Sequence, residues 1–165
     1  MCYVIPNKAQ DMSTWIYNDG GRVDAGYKPA KARDCAVRAI AIATQKPYDE
    51  IWHDLYVVMK DVPLMSKQQA RIASEKKYEP DSGVFHQHLA HYLKSKSWKW
   101  VPTMSIGSGC KTHLKASELP AGRIICRVTR HFVAVVDGII QDTHDCSRGG
   151  TRCVYGYYIN EQASS

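Results

Sequence analysis

Hydrophobic positions in the first half of the chain recur at helical spacing. Nearly every residue from 36 to 43 is apolar, with Arg38 as the exception, and a helix that is apolar on all sides is typical of a protein core. Asp34, just before this run, is a favourable N-cap residue, which places Cys35 in the first helical turn. A second, amphipathic helix is predicted over residues 47–60, where a proline at the first position favours helix initiation.

The middle of the chain is patterned less clearly. Residues 61–80 are polar, and we expect a loop with one short helix there. Residues 81–98 carry apolar positions at helical spacing, which predicts a third helix. Residues 100–122 combine many turn residues with little helical period, so they predict an irregular connection. The turn-rich residues 1–30 are predicted to form an irregular N-terminal arm.

From Gly122 onward the pattern changes to short β-type runs separated by turn signals. The predicted strands cover residues 123–128, 131–136, 138–143 and 152–159. Helices come first and strands last, which predicts an α+β fold in which N-terminal helices pack on a C-terminal, mostly antiparallel sheet. A length of 165 residues suits one domain, and no repeat or linker divides residues 1–165.

Composition adds limits on compartment and partners. Charged residues make up 23% and hydrophobic residues 44%, which is typical of globular proteins, and no run approaches the roughly 20 apolar residues of a membrane span. The start of the chain lacks the pattern of a signal peptide, so we expect a cytoplasmic protein with no membrane partner. In a reducing cytosol the six cysteines are predicted to be free thiols. The net charge of +6 suits an acidic partner, but the basic residues are scattered, which disfavours nucleic acid.

The stretch "HFVAVVDGIIQDTHD" predicts a hairpin that joins a histidine to an aspartate. Asp137-Gly138 is a strong signal for a two-residue turn, which places Val136 opposite Ile139. His131 and Asp142 then become diagonal neighbours on one face, at roughly 7 Å between backbones, which is within reach of an imidazole ring. A carboxylate in that position orients the ring and fixes its tautomer, so that the other ring nitrogen can act as a base.

Cys35 is the candidate nucleophile that would complete this pair. Its predicted position in the first turn of a buried helix favours a thiolate, because amide N–H groups and the helix dipole stabilise negative charge there. A thiolate paired with an imidazolium that a carboxylate orients is the cysteine form of the nucleophilic triad. The predicted catalytic residues are therefore Cys35, His131 and Asp142, with no cofactor and no metal.

These residues carry a resemblance to the papain-like cysteine peptidase superfamily. "RDCAVRAIA" stands where that family has its nucleophile helix, and "LPAGRIICRVTRHFVAVVDGIIQDTHD" stands where it has a strand, a histidine strand and a strand with the orienting acid. The chain is most similar to the bacteriocin-processing peptidases and to the cell-wall amidases with an Asp-Cys at the helix start. It also resembles small uncharacterised proteins of bacterial and phage genomes that share segments such as "DGGR", "WKWVPTM" and "SRGGTRCVYGY". The resemblance implies a papain-like fold and a triad, and it implies the host cytoplasm if the protein is phage-encoded.

One position departs from the family pattern. Many papain-like enzymes carry a glutamine six residues before the nucleophile that supplies an oxyanion donor, and Pro29 stands there in this chain. The remaining candidates for this donor are Lys28, Lys31, Asn18 and the backbone amides around Cys35. An oxyanion donor contributes roughly 2 to 4 kcal/mol to transition-state stabilisation, so its identity matters to the enzyme hypothesis.

Simpler interpretations exist for the same residues. Cys35 would be a small buried hydrophobe, as most free cysteines are, and Asp34 would be an N-cap and nothing more. A metal site is the alternative chemistry, although no Cys-x-x-Cys pair occurs. Its candidate ligands are His144, Cys146 and Cys153, joined by Cys126, His113 or Cys110.

Three functions remain open at this point. The leading hypothesis is a thiol hydrolase that cleaves an amide, peptide or isopeptide bond of a protein or peptide substrate through an acyl-enzyme. The second is a non-catalytic, phage-type binding or inhibitor protein that uses the same scaffold and a basic surface to occlude a host partner, either an acidic protein or a nucleic acid. The third is an acyltransferase that uses the same triad. We expect the specificity loops within residues 61–83 and 102–118.

Overall fold

The computed structural model describes residues 14–28 and 33–164. Within these residues the chain forms four α-helices and a six-stranded sheet. The helices are α1 (Cys35–Thr44), α2 (Tyr48–Asp61), α3 (Lys67–Glu75) and α4 (His86–Ser95). Short 3-10 turns cover Pro80–Ser82, Ala116–Glu118 and Glu161–Ser164.

The sheet combines strands from both ends of the chain. The strands are β1 (Thr14–Tyr17), β2 (Trp98–Pro102), β3 (Arg123–Val128), β4 (His131–Val136), β5 (Ile139–Asp142) and β6 (Gly156–Asn160). Their order across the sheet is β1-β5-β4-β3-β6-β2. β1 runs parallel to β5, and the other neighbouring pairs are antiparallel. The predicted α+β class is confirmed, with a mixed sheet.

The helix α1 is enclosed by protein on all sides. All of its residues from 36 to 43 are buried, as the apolar run predicts, because such a helix gains most when its whole circumference leaves water. The helix ends at Thr44 because Gln45 adopts a left-handed φ of 58° and returns its N–H to the carbonyls of Ala41 and Ile42.

The sheet separates two apolar cores. On one face the helices α1, α2 and α4 pack on strand residues such as Ile125, Phe132 and Ala134. On the opposite face the alternate strand residues meet side chains of the long connections, including Leu114 and Cys146. Because strand side chains alternate in direction, β3 and β4 serve both cores, and this double burial explains their nearly continuous apolar sequence.

The hairpin β4–β5 has the register that the sequence predicts. Asp137 and Gly138 both have positive φ values, 49° and 79°, as a type I′ turn requires. Val136 pairs with Ile139. This register sends His131 and the last residue of β5 toward the same end of the sheet.

Several predicted elements differ in extent. The expected irregular arm over residues 1–30 contains β1, which adds to the sheet edge, while residues 1–13 and 29–30 lie outside the described residues. The connection predicted over residues 100–122 is wrong at its start, because β2 lies there and pairs with β6. The sheet is therefore neither wholly C-terminal nor wholly antiparallel.

The helical predictions hold with shifted ends. The short helix expected within residues 61–80 is α3. The helix expected over residues 81–98 is shorter, since a 3-10 turn precedes α4 and β2 follows it. The last predicted strand begins at Gly156 and not at residue 152, because residues 147–152 form a turn that closes on itself through Arg152 N–H and the Ser147 carbonyl.

The expectation of six free thiols is wrong for two of them. Cys110 and Cys153 form a disulfide that joins two of the long connections, whereas Cys35, Cys126 and Cys146 are free. Disulfides are rare in a reducing cytosol, so this bond does not support the predicted cytoplasmic location. Among the described helices, none has the length and apolar character needed to cross a bilayer.

Candidate active site

His131 and Asp142 meet at the open end of the β4–β5 hairpin. His131 Nε2 lies 2.6 Å from Asp142 Oδ2, the contact that the hairpin register predicts. The carboxylate is 2% exposed, and it also accepts the backbone N–H of Thr143. Because Nε2 is hydrogen-bonded to Asp142, the other ring nitrogen, Nδ1, is left to interact with a further group.

Cys35 approaches the same imidazole from the helix layer. It is the first residue of α1, and it is half-buried at the wall of a groove of about 850 Å³ that His131 also lines. Its thiol lies close enough to the His131 ring and to the Phe132 backbone amide for both groups to lower its pKa. The structure therefore brings all three predicted residues together, although they are separated by up to 107 positions (142 − 35) in the sequence.

The electrostatics favour a thiolate-imidazolium pair. Burial raises the pKa of the Cys35 thiol, but the hydrogen bond and charge of His131, with smaller effects of the Phe132 amide and Arg38, lower it below its ordinary value. Burial lowers the pKa of His131, but hydrogen bonds with Asp142, Cys146 and Cys35 raise it to about 11. Cys35 is thus deprotonated more easily than a free thiol, while His131 is protonated at neutral pH.

A buried charge network stands behind Asp142. Arg38 donates from Nη1 to Asp142 and from Nε to Asp34 Oδ1, the latter at 3.0 Å. Arg22 donates to both oxygens of Asp34, at 3.0 and 3.2 Å, and the Tyr48 hydroxyl donates to Asp34 at 2.8 Å. Each charged side chain in this network has a neighbour of opposite sign, and buried charges are tolerated under that condition.

Sequence reasoning missed this network and the side-chain role of one of its members. Asp34 occupies the N-cap position of α1 as predicted, and its carbonyl accepts the Arg38 N–H. Its side chain makes no capping hydrogen bond, and it pairs with Arg22 and Arg38 instead. One signal was available, since a lone arginine in an otherwise apolar helix requires a buried acid. No local pattern marked Arg22, which reaches Asp34 because Gly20 lets the preceding turn approach the backbone of α1.

The proposed oxyanion donors are placed as follows. Asn18 is occupied by hydrogen bonds with Gln141 and Gly20 and does not line the groove. Lys28 is exposed away from the groove, and Pro29 and Lys31 lie outside the described residues. The backbone amides at the start of α1 remain the candidates, because the first N–H groups of a helix have no partner within it.

The metal alternative takes a different form from the predicted one. Cys110 and Cys153 are joined in a disulfide and offer no thiolate. Cys146 instead lies beside His131 and Asp142, with possible donor atoms of all three within 4.8 Å of one another. Both Asp142 oxygens are already occupied, one by Arg38 and one by His131. A guanidinium on the same carboxylate repels a second cation, so the geometry favours the ion-pair role of Asp142 over a ligand role.

The prediction of which loops line the groove is confirmed only in part. Gln69 and Gly83 line the groove and belong to the predicted range 61–83. No residue of the range 102–118 lines it. The opposite wall comes from the β3–β4 turn and from Tyr155, positions that the sequence pattern identified as structural.

Stability should depend on pH through Asp142 and His131. Burial opposes ionisation of Asp142, but His131, Arg38 and the Thr143 amide lower its pKa from 3.8 to about 2, so its contribution is complete above about pH 4 and is lost as the pH falls toward 2. The contribution of His131, whose pKa rises from 6.5 to about 11, is complete below about pH 6.5 and is lost as the pH rises toward 11. We expect the stabilisation by this pair to be largest between about pH 4 and 6.5.

Urea unfolding of the wild type and of His131→Gln across this range tests the expectation. The free-energy difference between the two should shrink as the pH rises from 6.5 toward 11. A difference that stays constant over that interval would show that His131 titrates normally in the folded protein.

Comparison with known proteins adds no relative. No protein-family model matches the chain, and no curated protein or solved structure matches it either.

Proposed function

We propose that this protein is a thiol hydrolase that cleaves an amide, peptide or isopeptide bond through an acyl-enzyme on Cys35. The observation that carries the proposal is the chain of contacts from the Cys35 sulfur to His131 and from His131 Nε2 to Asp142 at 2.6 Å, placed at the wall of an open groove. The groups have the chemistry that nucleophilic catalysis requires, namely an activated sulfur, a base and an orienting acid.

The reaction proceeds in two balanced steps. The Cys35 thiolate attacks the carbonyl carbon, and the carbon-nitrogen bond breaks as the imidazolium of His131 gives its proton to the leaving amine. Water then attacks the thioester, His131 takes a proton from that water, and the carboxylic acid leaves as the thiolate is restored. Asp142 stays ionised throughout and holds the ring through Nε2.

A papain-like arrangement belongs to the same proposal. The support is the placement of the nucleophile at the start of a buried helix and of base and acid on neighbouring strands, in the order that the sequence resemblance implies. An amine in place of water as acceptor would make the same site an acyltransferase, so the acceptor is part of the test.

Acylation by p-nitrophenyl acetate tests the function directly. Intact-mass measurement should find one acetyl group on Cys35 at neutral pH, and added glycinamide should reveal whether an amine competes with water. Cys35→Ala should show no acetylation, whereas Cys126→Ala, which removes a buried free thiol on the other face of the sheet, should behave like the wild type.

The opposite result would support a binding protein. If Cys35→Ala and the wild type acylate equally, the sulfur is not the nucleophile and the enzyme proposal fails.

A further inference from the structure

The groove beside Cys35 carries positive charge that the protein does not neutralise. Arg33, Arg127 and Arg130 line it, and no aspartate or glutamate does. Arg38 also lines the groove, but Asp34 and Asp142 balance its charge. None of the other three arginines forms an ion pair with an acid in the described parts of the chain. A cleft lined by charge of one sign concentrates ligands of the opposite sign.

Arg127 is the best defined of these arginines. Its Nη1 lies 3.1 Å from His86 Nδ1, and His86 Nε2 lies 2.8 Å from the Tyr158 hydroxyl. A guanidinium can only donate, so Nδ1 accepts and Nε2 carries the proton of a neutral ring. Burial and the charge of Arg127 lower the pKa of His86 to about 4, in agreement with that assignment. A neutral histidine thus orients Arg127 without cancelling its charge.

The turn between β3 and β4 brings Arg130 to the same rim. Arg130 is exposed and has a φ of 55°, and the next residue in the chain is His131. Both arginines therefore sit on the wall that carries the proposed base. An anionic group bound there would occupy the same groove that Cys35 lines.

The rest of the lining indicates a peptide. Phe85, Phe132 and Tyr155 give the groove apolar walls next to its charges. Its volume of about 850 Å³ is of the size that encloses a small molecule or a few residues of a peptide. A nucleic acid would need positive charge along many successive phosphates, whereas the basic residues here are gathered in one short groove.

We infer that the substrate of this site is an acidic peptide whose carboxylate binds Arg127 and Arg130 while its scissile amide faces Cys35. This inference rests on the proposed function, because it assigns the substrate of that same thiolate. A guanidinium binds a carboxylate through paired N–H donors, and the low charge compensation around Arg127 leaves it available for such a bond.

Alkylation with a matched pair of reagents tests charge selection. Iodoacetate carries a carboxylate and iodoacetamide is its neutral analogue, so the ratio of their rates at Cys35 measures attraction of an anion. We expect Arg127→Gln and Arg130→Gln each to lower this ratio about threefold to tenfold, the effect of one charge over several ångströms in a wet groove. Arg127→Lys should retain most of the ratio. The charge of His131 contributes equally in all of these proteins.

Lys46→Gln is the matched control. It removes one positive charge beyond the far end of α1, where Lys46 pairs with Glu50, and it should leave the ratio unchanged. An unchanged ratio in both arginine variants, or an equal fall in Lys46→Gln, overturns the inference while the enzyme proposal stands. If Cys35 reacts with neither reagent, it is not an accessible thiolate, and both the enzyme proposal and the acidic-peptide inference are overturned.

Protection of Cys35 from iodoacetamide distinguishes the sources of the carboxylate. The probes are blocked tripeptides with an aspartate side chain as the only charge, with a free C-terminal carboxylate as the only charge, and with asparagine and no charge. Protection by either charged peptide over the neutral one supports the inference and names the source. Equal protection by all three overturns it, and so does protection by an oligonucleotide alone.

Discussion

Replacing His131 with glutamine is expected to slow turnover of an ester or amide substrate by about 10²- to 10⁴-fold, the range for loss of a general acid-base catalyst. His131 supplies the charge and hydrogen bond that lower the pKa of Cys35, so its loss also returns the sulfur toward an ordinary, mostly protonated thiol. Preferential alkylation of Cys35 by iodoacetamide at neutral pH, measured peptide by peptide, should disappear with it.

His144→Gln provides the matched control for this result. The His144 ring centroid lies 5.5 Å from that of His131 and faces the same groove, but no hydrogen bond joins it to Asp142 or Cys35. We expect its turnover to remain within a fewfold of the wild type. A loss as large as that of His131→Gln would assign the base to His144 instead.

Replacing Arg38 with methionine is expected to lower the free energy of unfolding by about 3 to 5 kcal/mol, the range for removing one partner of a buried ion pair. Arg38 is 7% exposed and donates to both Asp34 and Asp142, which are 0% and 2% exposed. Methionine fills much of the same volume but leaves Asp142 with His131 as its remaining cationic partner. Urea unfolding at neutral pH measures the change.

Arg71→Met is the control for the Arg38 experiment. Arg71 pairs with Glu75 on α3, and both side chains are more than half exposed, so the expected change stays within about 0.5 kcal/mol. If Arg38→Met lost no more than this control, the buried network would not be contributing to stability.

The alternation of charge links this network to the Cys35 sulfur. From Arg22 through Asp34, Arg38 and Asp142 to His131, each charged side chain lies next to one of opposite sign. The Cys35 thiol, whose pKa is lowered by His131, follows at the end of the series. A substitution at Arg22 or Asp34 therefore weakens the electrostatic stabilisation of the Asp142 carboxylate without replacing a residue that lines the groove. The stability and the reactivity of this protein share one set of contacts.

The sequence alone was sufficient for elements whose cause is local. The apolar run after Cys35 predicts a buried helix because the preference of every residue in it acts within a few turns. The Asp137-Gly138 turn predicts the hairpin register, and the alternation of strand side chains then predicts that His131 reaches Asp142. Both statements are confirmed, at the pairing of Val136 with Ile139 and at the 2.6 Å contact.

Other features depended on contacts between distant parts of the chain. β1 pairs in parallel with β5, and β2 pairs with β6. Both segments are rich in residues that favour strands, but each is too short to determine its conformation or its partner without the neighbouring strand. Asp34 fits an N-cap by its position, but two arginines drawn from different segments recruit its charge. The unbalanced charge of Arg127 likewise depends on the neutral His86 that α4 brings to it. Local periodicity thus determined the helix and the hairpin. Tertiary packing decided how the buried charges are paired and which charge faces the groove. The energy of an ion pair depends on the distance between its charges in space, and the order of residues does not contain that distance.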